Sequence, residues 1–120
     1  MAEAREYRGG CHCGRVRFRV QADLSGELVT CNCSLCSRMG WALAFVPGSL
    51  FELESGQEAL TDYQFNKKQL HHLFCATCGV RSFSRGPGHD GGETYAINVR
   101  CLEGDDGGEL KLKLFDGRSL

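Results

Sequence analysis

Seven of the eight cysteines in this chain fall into three short clusters, Cys11-His12-Cys13, Cys31-Asn32-Cys33-Ser34-Leu35-Cys36 and Cys75-Ala76-Thr77-Cys78. The outer clusters offer pairs and the middle one offers three. A structural zinc site usually closes with four protein ligands, whereas a site built on three leaves a coordination position for water or substrate. The pattern predicts metal chemistry as well as a metal staple.

The 120 residues suit one folding unit spanning residues 1–120, and no Pro/Ser-rich linker divides them. A chain this short buries only about two thirds of its unfolded surface. Its 16 glycines add conformational entropy that folding must overcome. A bound metal is the constraint its cysteines can supply. Met1 to Gly10 lacks the apolar core of a signal peptide, and no run reaches the roughly 18 apolar residues of a membrane span. These features predict a soluble, cytoplasmic protein with no membrane partner. Its thiols are then reduced and read as ligands rather than disulfides.

The formal net charge of −1 counts every thiol as neutral. With seven cysteines bound as thiolates to two zinc ions it becomes about −4, since each ligand loses its proton. No nucleic-acid partner is expected from that balance. The basic strip Arg15-Val16-Arg17-Phe18-Arg19 alternates with apolar residues, as a strand with one solvated face does.

The same period of two recurs at Tyr95, Ile97 and Val99 and at Leu110, Leu112 and Leu114, predicting antiparallel strands. Further strands are expected over Ala42 to Val46, Phe51 to Leu53, Leu60 to Phe65 and Gln69 to Phe74, with turn-rich segments between them. Short helical turns are expected at Ser34 to Met39 and Ser55 to Ala59. The fold class is mainly β. Gly86 to Gly92 and Glu103 to Gly108 read as loops. Neither is a phosphate cradle, because no helix pattern follows.

On an extended backbone Cys11 and Cys13 project to one face and can bite one metal at about 2.3 Å. Cys75 to Cys78 makes a tight knuckle in which Gly79 supplies a positive φ. Spacing leaves two partitions open. Cys33 and Cys36 can join Cys75 and Cys78 in a zinc ribbon, leaving Cys11, Cys13 and Cys31. Alternatively Cys11, Cys13, Cys75 and Cys78 close one structural site while Cys31, Cys33 and Cys36 form another. The second partition keeps each cluster whole and is preferred on that ground.

Gly10-Cys11-His12-Cys13-Gly14, the Cys31 to Cys36 cluster, Ala44-Phe45-Val46-Pro47, Tyr63-Gln64-Phe65-Asn66, His72 to Gly79 and Asn98-Val99-Arg100-Cys101-Leu102 carry a resemblance. Together they resemble the glutathione-dependent formaldehyde-activating enzyme family, which includes centromere protein V, over nearly the whole chain. The resemblance implies a β-tent (MSS-four-like) fold of antiparallel sheets with zinc-binding knuckles. It also implies a structural zinc at Cys11, Cys13, Cys75 and Cys78 and a second, open and catalytic zinc at Cys31, Cys33 and Cys36. The implied activity is that of a carbon–sulfur lyase acting on thiol–aldehyde adducts, with glutathione and formaldehyde as the substrate pair. The alternative is a non-catalytic zinc module that binds a macromolecular partner.

Among other candidates, Cys101 follows a strand pattern and reads first as a buried thiol, second as a further ligand. His71 and His72 face opposite ways if extended and suit surface or packing roles; His12 points away from its flanking ligands. His89 sits in the glycine-rich loop, where nothing favours a role for it. Trp41, Phe45, Phe51, Phe65, Phe74 and Phe83 are core candidates. Arg38, Arg81 and Arg85 stand near cysteines, able to offset thiolate charge or hold a carboxylate.

Overall fold

The computed structural model describes residues 5–24, 28–64, 70–88, 92–104 and 111–119. Among these, β1 (Arg5–Gly10), β2 (Arg17–Ala22) and β5 (Phe51–Ser55) form a three-stranded antiparallel sheet with β2 in the middle. The other strands are β3 (Leu28–Cys31), β4 (Leu43–Pro47), β6 (Leu60–Tyr63), β7 (His71–Cys75), β8 (Phe83–Pro87), β9 (Glu93–Asn98) and β10 (Leu112–Phe115). They form a seven-stranded sheet in the order β10-β3-β4-β9-β8-β7-β6. A short α-helix, α1 (Cys36–Met39), follows β3. The fold is mainly β with antiparallel sheets, as the resemblance implied.

The alternation in Arg15 to Val20 does what its period predicts. Val16, Phe18 and Val20 are all but fully buried, while Arg17 pairs with Glu103 and Arg19 with Glu52 and Glu6. Phe18 stacks on Phe51 with ring centroids 5.4 Å apart and meets Phe83 edge-on at 5.9 Å; Phe51 in turn stacks on Tyr95 at 4.1 Å. Two of these rings belong to the smaller sheet and two to the larger, so the aromatic cluster joins the sheets. Such pairs add about 0.5–1.5 kcal/mol each beyond the area they bury.

Several expectations need correction. The strand containing Tyr95 and Ile97 ends at Asn98, and Val99 opens a 3-10 turn whose Arg100 N–H is capped by the Asn98 side chain at 3.2 Å. Gly86 and Pro87 belong to β8 rather than a loop, paired with Thr94 and Glu93. β10 pairs parallel to β3, not antiparallel; it is an edge strand, and its Leu112 and Leu114 are exposed. Phe45 is exposed at 55%, on the face of β4 opposite the buried Val46 side. Phe65, His89, Leu110 and the acidic stretch 105–108 lie outside the described residues. Among those described, no helix is long and apolar enough to cross a membrane.

Candidate metal centres

β1 ends at Gly10 and delivers Cys11 and Cys13 from the smaller sheet, while β7 ends at Cys75 and delivers the knuckle from the larger one. Gly79 has φ +79°, the left-handed conformation expected of it. The four sulfurs lie within 4.8 Å of one another. Cys11 and Cys13 Sγ are 3.6 Å apart, and Cys13 and Cys75 Sγ 3.7 Å. A tetrahedron of thiolates about 2.3 Å from zinc has edges of about 3.8 Å. The four residues therefore fit a tetrahedral ion, and that ion would tie the two sheets together.

The polarity around this group favours thiolates unequally. The backbone N–H groups of Cys13 and Val80 bring the Cys78 thiol down to about 6. The backbone N–H of Cys78, then that of Thr77, lowers Cys75. At Cys13 the backbone N–H of Arg15 works in the same sense. Desolvation and the hydrogen bonds with Cys11, Cys75 and Cys78 outweigh it and push that thiol up to about 11. The sulfurs thus differ in how readily each gives up its proton, and a bound dication would stabilise all four as thiolates.

The second group is local. Cys31 is the last residue of β3, Cys36 the first of α1, and Cys33 lies in the turn between them. Their sulfurs also lie within 4.8 Å of one another, and among the described residues no fourth His, Cys, Asp or Glu joins them. The Cys33 N–H donates to Cys31 Sγ and the Cys36 N–H to Cys33 Sγ, each at 3.4 Å. Burial pushes the Cys36 thiol up to about 12, opposed by the indole N–H of Trp41 and reinforced by Cys33 and Cys31. Cys31 and Cys33 remain half exposed. Three soft donors, preorganised by backbone N–H groups and open on one side, fit a metal with an exchangeable position.

The sulfurs thus assemble by the partition that keeps each cluster whole. Cys101 stands outside both groups; it is half-buried and donates to the Arg81 carbonyl at 3.8 Å. The arginines are committed to other contacts. Arg38 donates to the Ser34 carbonyl at 2.6 Å, Arg85 pairs with Glu93 at 3.1 Å, and Arg81 lies over the Phe74 ring at 5.0 Å. His71 meets Asp62 at 2.6 Å, His72 is buried, and His12 is exposed.

Sequence reasoning did not find the segment after β10. Asp116 and Arg118 both bond Asn32, between two of the clustered cysteines. No metal-ligand or catalytic pattern marks that segment, so only the fold reveals it. A cavity of about 780 Å³ is lined by Pro47, His71, Arg85 and Glu93, among others. It lies at the end of β4 away from Leu43, roughly 13 Å along the strand from the Cys36 cluster at about 3.3 Å per residue.

A two-sheet β protein carrying a four-thiol group and a separate three-thiol group defines a class of small metal-binding β domains. Residues 6–115 match the family described as glutathione-dependent formaldehyde-activating enzyme, and this chain belongs to that family. A crystal structure of a Rhodobacter sphaeroides protein is similar to it, with 35% sequence identity and a TM-score of 0.72, over 88% of this chain and 99% of that one.

Proposed function

We propose that this chain is a single zinc-binding domain holding one structural zinc at Cys11, Cys13, Cys75 and Cys78 and one reactive zinc at Cys31, Cys33 and Cys36. We further propose that it acts as a carbon–sulfur lyase on thiol–aldehyde adducts of the S-hydroxymethylglutathione type. The observation that carries this reading is the second group, with three sulfurs, no fourth protein ligand among the described residues, and two of the three half exposed. Zinc bound there would supply a Lewis-acid position that lowers the pKa of an incoming thiol. Cys31, Cys33 and Cys36 hold that position, the Cys33 and Cys36 N–H groups stabilise thiolate charge, and Trp41, Leu43 and Ala96 exclude water from the Cys36 side. In the synthetic direction the thiol sulfur forms a bond to the aldehyde carbon and the carbonyl oxygen takes the proton. The exposed apolar residues Leu112, Leu114 and Phe115 lie on the strand whose Phe115 is in register with Cys31. Of these, Phe115 places apolar surface beside Cys31, which favours the enzyme over a non-catalytic module. Exchange NMR on zinc-loaded protein with glutathione and formaldehyde tests the reaction. Adduct exchange should accelerate over the uncatalysed rate and fall back to it in Cys33→Ala; an unaccelerated wild type rules the activity out.

A further inference from the structure

Asn32 sits between two proposed ligands, and its backbone and side chain are held by one short stretch of chain. Its N–H donates to the Phe115 carbonyl at 3.2 Å and its Nδ2 to Asp116 Oδ1 at 2.9 Å. Arg118 N–H donates to Asn32 Oδ1 at 2.9 Å, and Arg118 Nε to the Asn32 carbonyl at 3.1 Å. Ser119 and then Asn32, by donating to the Asp116 carboxylate, keep it below its usual range. These contacts continue the parallel ladder between β10 and β3, in which Phe115 faces Cys31.

Gly117 follows at close quarters. A Cβ added there would lie 2.7 Å from Cys31 Sγ and 3.3 Å from Cys33 Cβ. Its φ lies outside the left-handed region, so glycine is required by space and not by backbone conformation. Among the described residues the segment buries little apolar surface. Leu112, Leu114 and Phe115 are 45%, 59% and 52% exposed, so a two-strand edge ladder and the Asn32 bonds supply its attachment. Segments with so few buried apolar contacts open at low free-energy cost.

We propose that residues 112–119 form a strap that builds the three-cysteine site, with Asn32 as the positioning residue it fastens and Gly117 as its contact against the Cys31 sulfur. The proposal rests on reading Cys31, Cys33 and Cys36 as a zinc site. By fixing the backbone between Cys31 and Cys33, the strap holds two of three sulfurs at metal-binding separation. Outer-shell hydrogen bonds of this kind typically change metal affinity about 10- to 100-fold. Because coupling between two binding equilibria is reciprocal, metal at the three-cysteine site also holds the strap down.

Chelator competition on fully zinc-loaded protein tests this. Asn32→Ala and Gly117→Ala should each weaken the second zinc about 10- to 100-fold while the first keeps its wild-type affinity. Removing only the second zinc from wild type should speed trypsin cleavage at Lys113 by about tenfold or more. Should Asn32→Ala fail to fold, Asp116→Ala replaces it, since Asp116 is exposed and its side chain bonds only Asn32 and Ser119 among the described contacts. Unchanged second-site affinity in these variants overturns the strap while leaving the zinc reading intact. A wild type that takes up one zinc overturns both.

Discussion

Trp41 and Cys36 share one buried cluster with Leu43 and Ala96, at the end of β4 that meets the three-cysteine group. Among the described residues, the buried Trp41 indole N–H has no hydrogen-bond partner of normal geometry. It nevertheless favours the Cys36 thiolate, against the burial that raises that thiol. An orphaned N–H beside a sulfur gains a true acceptor when that sulfur becomes an anion, and metal binding makes it one.

Trp41 is the sole tryptophan of the chain, so its emission reports on the second site directly. Titrating protein that already holds its first zinc with a further equivalent should change the emission intensity in wild type. The change should vanish in Cys36→Ala. A titration that leaves the spectrum flat while zinc analysis shows two ions bound would separate the indole from the site.

Zinc content should distinguish the two groups. Wild type is expected to hold about two ions per chain, falling toward one in Cys33→Ala with the fold retained. Cys75→Ala should not fold, because Cys75 is fully buried and its group spans both sheets. A structural zinc contributes roughly 10–16 kcal/mol, comparable to or above the 5–15 kcal/mol net stability of a typical domain. Metal analysis with circular dichroism reads both outcomes; a folded Cys75→Ala would show that the sheets hold together without the staple.

Stability should fall on acidification partly through His72. Burial, then the Arg81 guanidinium, hold its imidazole below the ordinary 6.5. Below pH 6.5 the unfolded chain therefore binds a proton that the native state refuses, so stability declines as pH drops toward the native value. The slope is at most about 1.4 kcal/mol per pH unit. Urea denaturation of zinc-loaded wild type and His72→Leu between pH 7 and 5 should give a shallower slope for the variant. Equal slopes would clear the imidazole of the effect.

Truncating Phe18 should be the most damaging change away from the cysteines. The ring is fully buried, stacks on Phe51 within its own sheet and meets Phe83 of the other sheet. Phe18→Ala should cost about 3–5 kcal/mol, read as a lower denaturation midpoint with both zinc ions still bound at neutral pH. A loss under 1 kcal/mol would mean the sheets repack around the gap.

The cysteine clusters were legible because ligand spacing is local. Two atoms that bite one metal from a CxC or a CxxC must be close in sequence, and the Gly79 turn is written beside them. The alternation through Val16, Phe18 and Val20 was legible for the same reason, since a strand's period shows one residue after the next. Partner choice is another matter. Arg17 and Glu103 are paired across 86 positions, and no local pattern links them.

What the sequence by itself determined is the chemistry of this protein: three groups of soft donors, a mainly β chain, and a family whose motifs run its whole length. The tertiary structure settled between the two partitions that spacing left open, by bringing the ends of β1 and β7 together and leaving the Cys31 group at the mouth of β3. It alone placed residues 115–118 around Asn32 and set β10 parallel to β3. Sulfur spacing is governed by a few bonds of local backbone, whereas strand order and register follow from burying Phe18, Phe83 and Ile97 between sheets, a constraint on the whole chain at once.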